Sequence, residues 1–353
     1  MHTFRTIDRQ IGMVPASVAV TLGRIDGLQG RLGALRERGP ETLSTLRETA
    51  RIQSVESSNA IENITAPRER IRALVSRQAR PENRPEEELA GYRAVLDTIN
   101  ESAASIPFKP SVVEQLHRDL YQFTNTPAGR WKQVENSIQE TRPDGVRVVR
   151  FQTVSAAATP AAMKDLHERF AAARESGAHH PLLLVGCYVF DFLAIHPFRD
   201  GNGRISRLLT LLALYQAGYE IGRFVSLERL IEETRETYYN ALRAAGHGWH
   251  EDAHEIGPWL RYFLGILTAA HSELELSATA VSGRGAKREA IAQFIRGSTA
   301  AELTVADVRK AVPAASDSYI DKTLAGLRDE GLIEPLGRGR NARWRRIEPP
   351  ARP

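Results

Sequence analysis

The run Pro181-Leu-Leu-Leu-Val-Gly-Cys-Tyr-Val-Phe-Asp-Phe-Leu-Ala-Ile195 constrains this chain more than any other stretch. It reads as an apolar helix, and a second apolar helix follows from Ile205 to Tyr215. Asp191 and His196 interrupt the apolar run, which leaves it too short to cross a membrane. The one cysteine, Cys187, lies inside it and reads as a buried, inert thiol. A lone cysteine excludes an internal disulfide framework and fits a reducing compartment. The start, MHTFRTIDRQIG, has no apolar signal core, so a soluble cytoplasmic protein is expected.

Between the two apolar runs lies His196-Pro-Phe-Arg-Asp-Gly-Asn-Gly-Arg-Ile-Ser-Arg207. Glycines at 201 and 203, at a helix start, let backbone N–H groups converge on an anion without Cβ obstruction. The positive end of the helix dipole favours phosphate oxygens there. Asp200 can hold Mg²⁺, which takes few protein carboxylates beside phosphate oxygens and water. Arg204 and Arg207 are one helical turn apart and can offer forked donors to successive phosphates. His196, held by Pro197, is a candidate general base, and Phe198 is expected to turn inward. Alone, each part has a bland reading: a turn, a core histidine, a solvated arginine pair. Their ordered conjunction points to phosphate chemistry.

With 353 residues and 42% hydrophobic content, the chain can build one large domain or two to three smaller ones. Residues 1–105 read as mostly helical, with apolar periodicity over 18–35, 43–64 and 86–99, punctuated by Pro40, Pro67 and Pro81. Ser111 and Glu114 form a capping-box pattern opening another helix. The turn sequence Arg142-Pro-Asp-Gly145 before Val146-Arg-Val-Val-Arg-Phe151 predicts a hairpin. Helices are expected from Thr159 to about Arg174, over 227–245 and over 256–278. Ser282-Gly-Arg-Gly285 reads as a linker. Beyond it, helices over 287–296, 305–311 and 316–330 precede two strands within 332–347, the order of a winged helix-turn-helix. From Arg284 onward 14 Lys/Arg face 9 Asp/Glu, so the net +4 charge resides in this tail.

The 196–207 stretch resembles the Fic family signature, H-P-F-x-[D/E]-G-N-G-R-x-x-R, at every defined position. The resemblance implies a mainly α fold, a Fic (Fido) helical core over 106–280 with a β-hairpin flap and an N-terminal helical region over 1–105; the element order adds a winged helix over 285–350. It implies a protein adenylyltransferase, which moves AMP from ATP to a Ser, Thr or Tyr hydroxyl of a target protein. His196 would deprotonate that hydroxyl and Asp200 would hold Mg²⁺. The Gly201, Asn202 and Gly203 amides, the Asn202 side chain, Arg204 and Arg207 would bind the phosphates. The hairpin would dock the target by strand addition. Tyr238 and Tyr239 resemble the pair lining the adenine end of the nucleotide.

Ser58-Asn-Ala-Ile-Glu62-Asn63 resembles the family's inhibitory-helix motif, [S/T]-x-x-x-E-[G/N], which places the chain in the class with an N-terminal inhibitory helix. Ser58 and Glu62 share a helix face. By the resemblance, Glu62 pairs bidentately with Arg207 and keeps it from the γ-phosphate. The partners implied are a protein target, the chain itself as target, a second copy in a homodimer, and DNA or protein at the winged helix. Rival readings are a DNA-associated regulator with a Fic sensor or toxin-like module, and the reverse reaction, removal of AMP, with Glu62 orienting water. The basic wing residues Arg338, Arg340, Arg343, Arg345 and Arg346 suit DNA phosphates. The acidic 316–330 helix is a poor reader of bases.

Overall fold

The computed structural model describes residues 2–38, 40–141, 147–297, 302–312, 315–337 and 343–347. The chain is mainly helical and divides into two compact units, Met1–Leu274 and Glu275–Pro353. The first unit begins with short helices α1 (His2–Arg5) and α2 (Ile7–Ile11), then α3 (Ala16–Arg38) and α4 (Pro40–Ile61). There follow α5 (Arg68–Val75), α6 (Arg84–Ser102) and α7 (Pro110–Leu120), then strands β1 (Ser137–Thr141) and β2 (Arg147–Gln152). Next come α8 (Thr159–Ser176), α9 (Pro181–Ile195), α10 (Asn202–Gln216), α11 (Leu227–Glu233), α12 (Arg235–Gly246) and α13 (Gly257–Gly297), whose residues from Glu275 on belong to the second unit.

The apolar run forms α9, and every residue from Leu182 to Ile195 is buried. Pro181 supplies the helical φ of the first turn, where no N–H is needed, and the His180 ring accepts from the Leu182 N–H. A helix that is apolar all round must be enclosed, and α8 and α10 pack on it while Trp259 of α13 donates to the Gly186 carbonyl at 2.8 Å. Asp191, its one charged residue, is also buried. Its Oδ1 accepts from the Thr3 hydroxyl (2.6 Å) and the Trp249 indole (2.7 Å), which pins α1 to the core helix.

The predicted hairpin is present as antiparallel β1–β2, with Ile138 opposite Phe151 and an irregularity at Ile138/Gln139. Its turn, 142–146, lies outside the described residues. Three local expectations are corrected. Ser111 does not cap α7: Pro110, with φ preset, occupies its first turn, and Lys109 stands at the cap without a side-chain bond. The 227–245 helix is two helices, broken at Thr234, whose hydroxyl turns back to the Leu230 carbonyl. The linker at Ser282-Gly-Arg-Gly285 is helical backbone inside α13; isolated glycines cost about 1 kcal/mol each in a helix but do not end it.

The second unit has its own apolar cluster, including Ile291, Ile295, Val308, Ile320, Leu324 and Ile333. After α13 come β3 (Leu303–Thr304), α14 (Val305–Ala311), α15 (Asp317–Asp329), β4 (Ile333–Leu336) and β5 (Arg343–Arg346), with antiparallel sheet order β3-β5-β4. Thr304 and Asp307 close a reciprocal capping box on α14. Arg343 pairs with Glu302 and Arg345 with Glu334, each at 2.8 Å, while 338 and 340 fall outside the described residues.

Candidate active site

The 196–207 stretch closes α9 and opens α10. His196 adopts a left-handed backbone (φ 53°) with its N–H on the Phe192 carbonyl, so a bulky residue sits where glycine is usual. Such strain persists only where the surroundings over-determine it, and it clusters at functional sites. Gly201, at φ 78°, caps α10, and a Cβ there would lie 3.0 Å from the Tyr121 hydroxyl. The first amides of α10 have no intrahelical acceptor and emerge at the positive end of the helix, an anion cradle.

The loop is locked from inside. Asn202 is buried: its Oδ1 accepts from the Phe198 N–H (2.9 Å) and its Nδ2 donates to the Phe198 carbonyl (2.8 Å). Both polar atoms of the Asn202 side chain thus bond the Phe198 backbone and close the loop. Phe198 turns inward as expected and stacks on His117, ring centroids 3.7 Å apart. His117 accepts from the Gly129 N–H through Nδ1 and donates from Nε2 to the Asp200 carbonyl at 3.0 Å. That fixes the neutral tautomer, and burial holds His117 down at about 4. Asp200 itself is exposed, and one carboxylate oxygen accepts from the Gly201 N–H at 2.7 Å.

Among the described residues the His196 ring has one weak bond, Nδ1 to the Leu193 carbonyl at 3.4 Å. That contact assigns the proton to Nδ1 and leaves Nε2 as a lone-pair acceptor. Burial lowers its pKa to about 4, helped by the Lys132 charge and opposed by Glu62 and Asp200. The imidazole is thus neutral near pH 7, the state a base requires.

Arg207 is buried, and its partners come from the end of α4. Its Nε donates to the Ser58 hydroxyl and its Nη2 to the Ser58 carbonyl, both at 2.8 Å, and Nη2 also reaches Glu62 Oε1 at 2.9 Å. The expected bidentate carboxylate fork is replaced by a fork shared between Ser58 and Glu62. Burial opposes the Arg207 charge, and Glu62, Tyr238 and Tyr92 together more than offset it, raising the pKa. Glu62 also covers the cradle: a Cβ on Gly203 would lie 2.2 Å from Glu62 Oε1. The carboxylate thus lies against the helix N-terminus where an anion would bind. Asn63 ends α4 in the left-handed region (φ 62°), with its N–H on the Ala60 carbonyl and that of Ile64 on the Asn59 carbonyl. Asparagine tolerates this conformation, the physical sense of Gly or Asn after the glutamate.

Arg204 departs from the expectation. It points inward at 1% exposure, with Nη1 on Glu88 Oε2 at 2.7 Å and Nη2 on the Tyr121 hydroxyl at 2.8 Å. Its two terminal nitrogens are held by protein partners, while the buried Nε has no partner among the described residues. Glu88 comes from α6, so the pair clamps α10 to the N-terminal helices. Arg204→Met should cost about 3 kcal/mol in chemical unfolding, because one partner of a buried pair loses its counter-charge. A loss below about 1 kcal/mol would contradict the clamp.

Tyr238 is buried beneath Tyr239 and packs on Trp259 and Tyr262; Tyr239 is 39% exposed, with the Arg235 guanidinium over its ring. One tyrosine of the pair is core and the other faces solvent. A carboxylate that the sequence reading passed over, Glu228, lies buried against Ser54 (2.8 Å), Ser226 (3.2 Å) and the Tyr92 hydroxyl (2.9 Å). It ties α4, which carries Ser58 and ends just before Glu62, to α11 and α6.

His117, His167, His196 and His254 are each lowered by burial from 6.5 to about 4. The unfolded chain therefore takes up protons that the folded chain refuses between these values. Stability is full above pH 6.5 and is lost as pH falls toward 4. The Tm should drop across that window; a flat Tm would contradict the buried neutral histidines.

Fold and site together define a mainly helical protein with an anion cradle and a neutral histidine between two core helices. Residues 107–214 match the sequence model of the Fic/DOC family. Over 282 residues the chain is 26% identical to "Protein adenylyltransferase Fic" of Nematostella vectensis, covering 76% of this chain and 58% of that relative. Over 112 residues it is 33% identical to the protein of the same name from Drosophila ananassae, covering 32% of this chain and 20% of the relative. The chain thus spans little more than half of the first relative and a fifth of the second. The fold matches the crystal structure of a Fic family protein from Desulfovibrio desulfuricans G20, with TM-score 0.63 and 22% identity, over 96% of this chain and 98% of that one. The matches support a Fic-type domain and kinship with Fic adenylyltransferases.

Proposed function

We propose that this chain is a protein adenylyltransferase held off by Glu62. The observation that carries the reading is the Glu62 carboxylate resting on Gly203 and Arg207, at the mouth of an anion cradle beside a neutral histidine. In the active state the His196 Nε2 takes the proton of a target hydroxyl. The hydroxyl oxygen forms a bond to the α-phosphorus of ATP, the bond to the bridging oxygen breaks, and pyrophosphate leaves. The amides at 202 and 203 stabilise charge on the phosphate oxygens. Arg207, once released by Glu62, takes the γ-phosphate; Arg204 and the Asn202 side chain hold the cradle's shape from behind.

Asp200 fits Mg²⁺: its carboxylate is exposed, one oxygen is turned to the Gly201 N–H, and no group of three or more acidic, His or Cys residues competes among the described residues. Mg²⁺ there would neutralise phosphate charge, the usual arrangement of one carboxylate plus phosphate oxygens. Tyr239 and Tyr238 line the adenine end, and the hairpin docks a target strand, with the chain itself and a second copy among its targets. No described helix is long and apolar enough to cross a membrane. The proposed compartment is the cytoplasm.

The second unit has the helix–helix–wing order of a winged helix. Its wing arginines 343 and 345 are paired with carboxylates, and α15 carries Asp317, Asp321 and Asp329. This favours a protein partner over DNA. AMP removal is a second reading, because Glu62 Oε2 has no partner among the described residues and can orient a water. Incubation with Mg²⁺ and α-labelled ATP tests the main reading: label should enter protein. Release of AMP from labelled protein by the wild type, lost in Glu62→Gly, would instead support removal.

A further inference from the structure

The carbonyls of the residues around His196 are all held from one short segment. Lys132 Nζ donates to the Ile195 carbonyl at 3.2 Å, and the Lys132 backbone N–H donates to the Pro197 carbonyl at 2.8 Å. Asn136 Nδ2 donates to the His196 carbonyl at 3.4 Å and the Phe198 carbonyl at 2.9 Å. Four consecutive carbonyls, 195 to 198, thus each receive a bond from Lys132 or Asn136, and that of Phe198 is shared with Asn202 Nδ2. The same two residues root the hairpin. Lys132 Nζ also donates to Asn136 Oδ1 (2.7 Å) and to the Thr153 hydroxyl (2.9 Å). The Thr153 hydroxyl in turn lies 2.8 Å from the Asn136 carbonyl, which it reaches as donor, just beyond the end of β2.

Lys132 is buried at 3% exposure, and its three ammonium protons meet three uncharged oxygens. A buried cation without a bonded carboxylate is costly to keep for packing alone, since an apolar side chain of similar length would fill the space. Its tripod is matched to an ammonium: three donors and no acceptor. Burial pushes Lys132 down to about 8, and its charge acts on the His196 ring, where Glu62 and Asp200 act in the opposite sense.

We infer that Lys132, Asn136 and Thr153 are positioning residues that hold His196 in its left-handed conformation and couple it to the hairpin. The inference rests on the adenylyl-transfer reading only for its kinetic consequence. A target strand added to the hairpin bears on the node that fixes the catalytic loop, so docking and alignment of the base are one mechanical event. Lys132 and Asn136 touch neither nucleotide nor target in this scheme; they act through the loop backbone.

The test uses Lys132→Met and Asn136→Ala in the full chain, the second serving if the first folds poorly. Hydrogen exchange should quicken by about tenfold or more in the 196–203 segment and stay unchanged in α10 beyond Ile205. In the Glu62→Gly background, kcat for AMP transfer should fall about 10- to 100-fold while KM for ATP changes less than about threefold. Unchanged exchange at 196–203, or equal quickening in both segments, overturns the inference. So does a rise in KM with kcat intact. If the Glu62→Gly parent transfers no AMP at all, the adenylyl-transfer reading fails, and the exchange measurement still decides the positioning role.

Discussion

Glu62→Gly is expected to raise incorporation of label from α-labelled ATP by roughly 100-fold. The substitution removes the carboxylate that lies against the Gly203 Cα and bonds Arg207 at 2.9 Å. Two effects add in the same direction. An anionic phosphate no longer competes with a carboxylate at a helix N-terminus, and the Arg207 fork loses one of its two protein partners. Displacement of a reacting group by about 1 Å costs roughly a hundredfold in rate, which sets the size of the relief. Ser58 still holds Arg207 by two bonds at 2.8 Å, so Ser58→Ala in the same background should add a smaller gain. Equal incorporation by wild type and Glu62→Gly would remove the brake assignment.

His196→Ala in the Glu62→Gly background should lower transfer by about 10²- to 10⁴-fold, the usual contribution of a general base. Loss should appear in kcat, with ATP binding retained, because the imidazole contacts the hydroxyl proton and not the phosphates. With its pKa lowered to about 4 by burial, the wild-type imidazole is neutral throughout the neutral range. The Glu62→Gly rate should therefore show no His196 titration between pH 6 and 8, and its acid limb should lie near 4. An acid limb near 6.5 would mean that the ring is solvated during turnover. Label persisting at full rate in His196→Ala would move the base elsewhere.

Much of this arrangement was legible along the chain because it is local. The two apolar runs, the glycines at 201 and 203, and the six-residue spacing of Ser58 to Asn63 are properties of neighbouring residues. Their helical periodicity and backbone freedom follow from residue type. The hairpin strands were readable for the same reason. Misreadings came where local signals competed. Pro110 outranked Ser111 at the start of α7, and helical neighbours on both sides carried α13 through Ser282-Gly-Arg-Gly285.

The sequence by itself determined which chemistry is available: an imidazole, a carboxylate and a glycine-lined helix start, in an order that places them in one loop. Tertiary structure decided which groups are free to use it. Arg204 and Arg207 share one face of α10 by spacing, yet Glu88 and Tyr121 claim the first and Ser58 and Glu62 the second. Asn202 and Asn136 have the same functional group, and one closes the loop while the other holds it to the hairpin. Helical spacing says that side chains lie on one face, but not what that face meets. That depends on partners brought from α4, α6 and α7, whose contacts are set by burial of the common core and not by any local pattern.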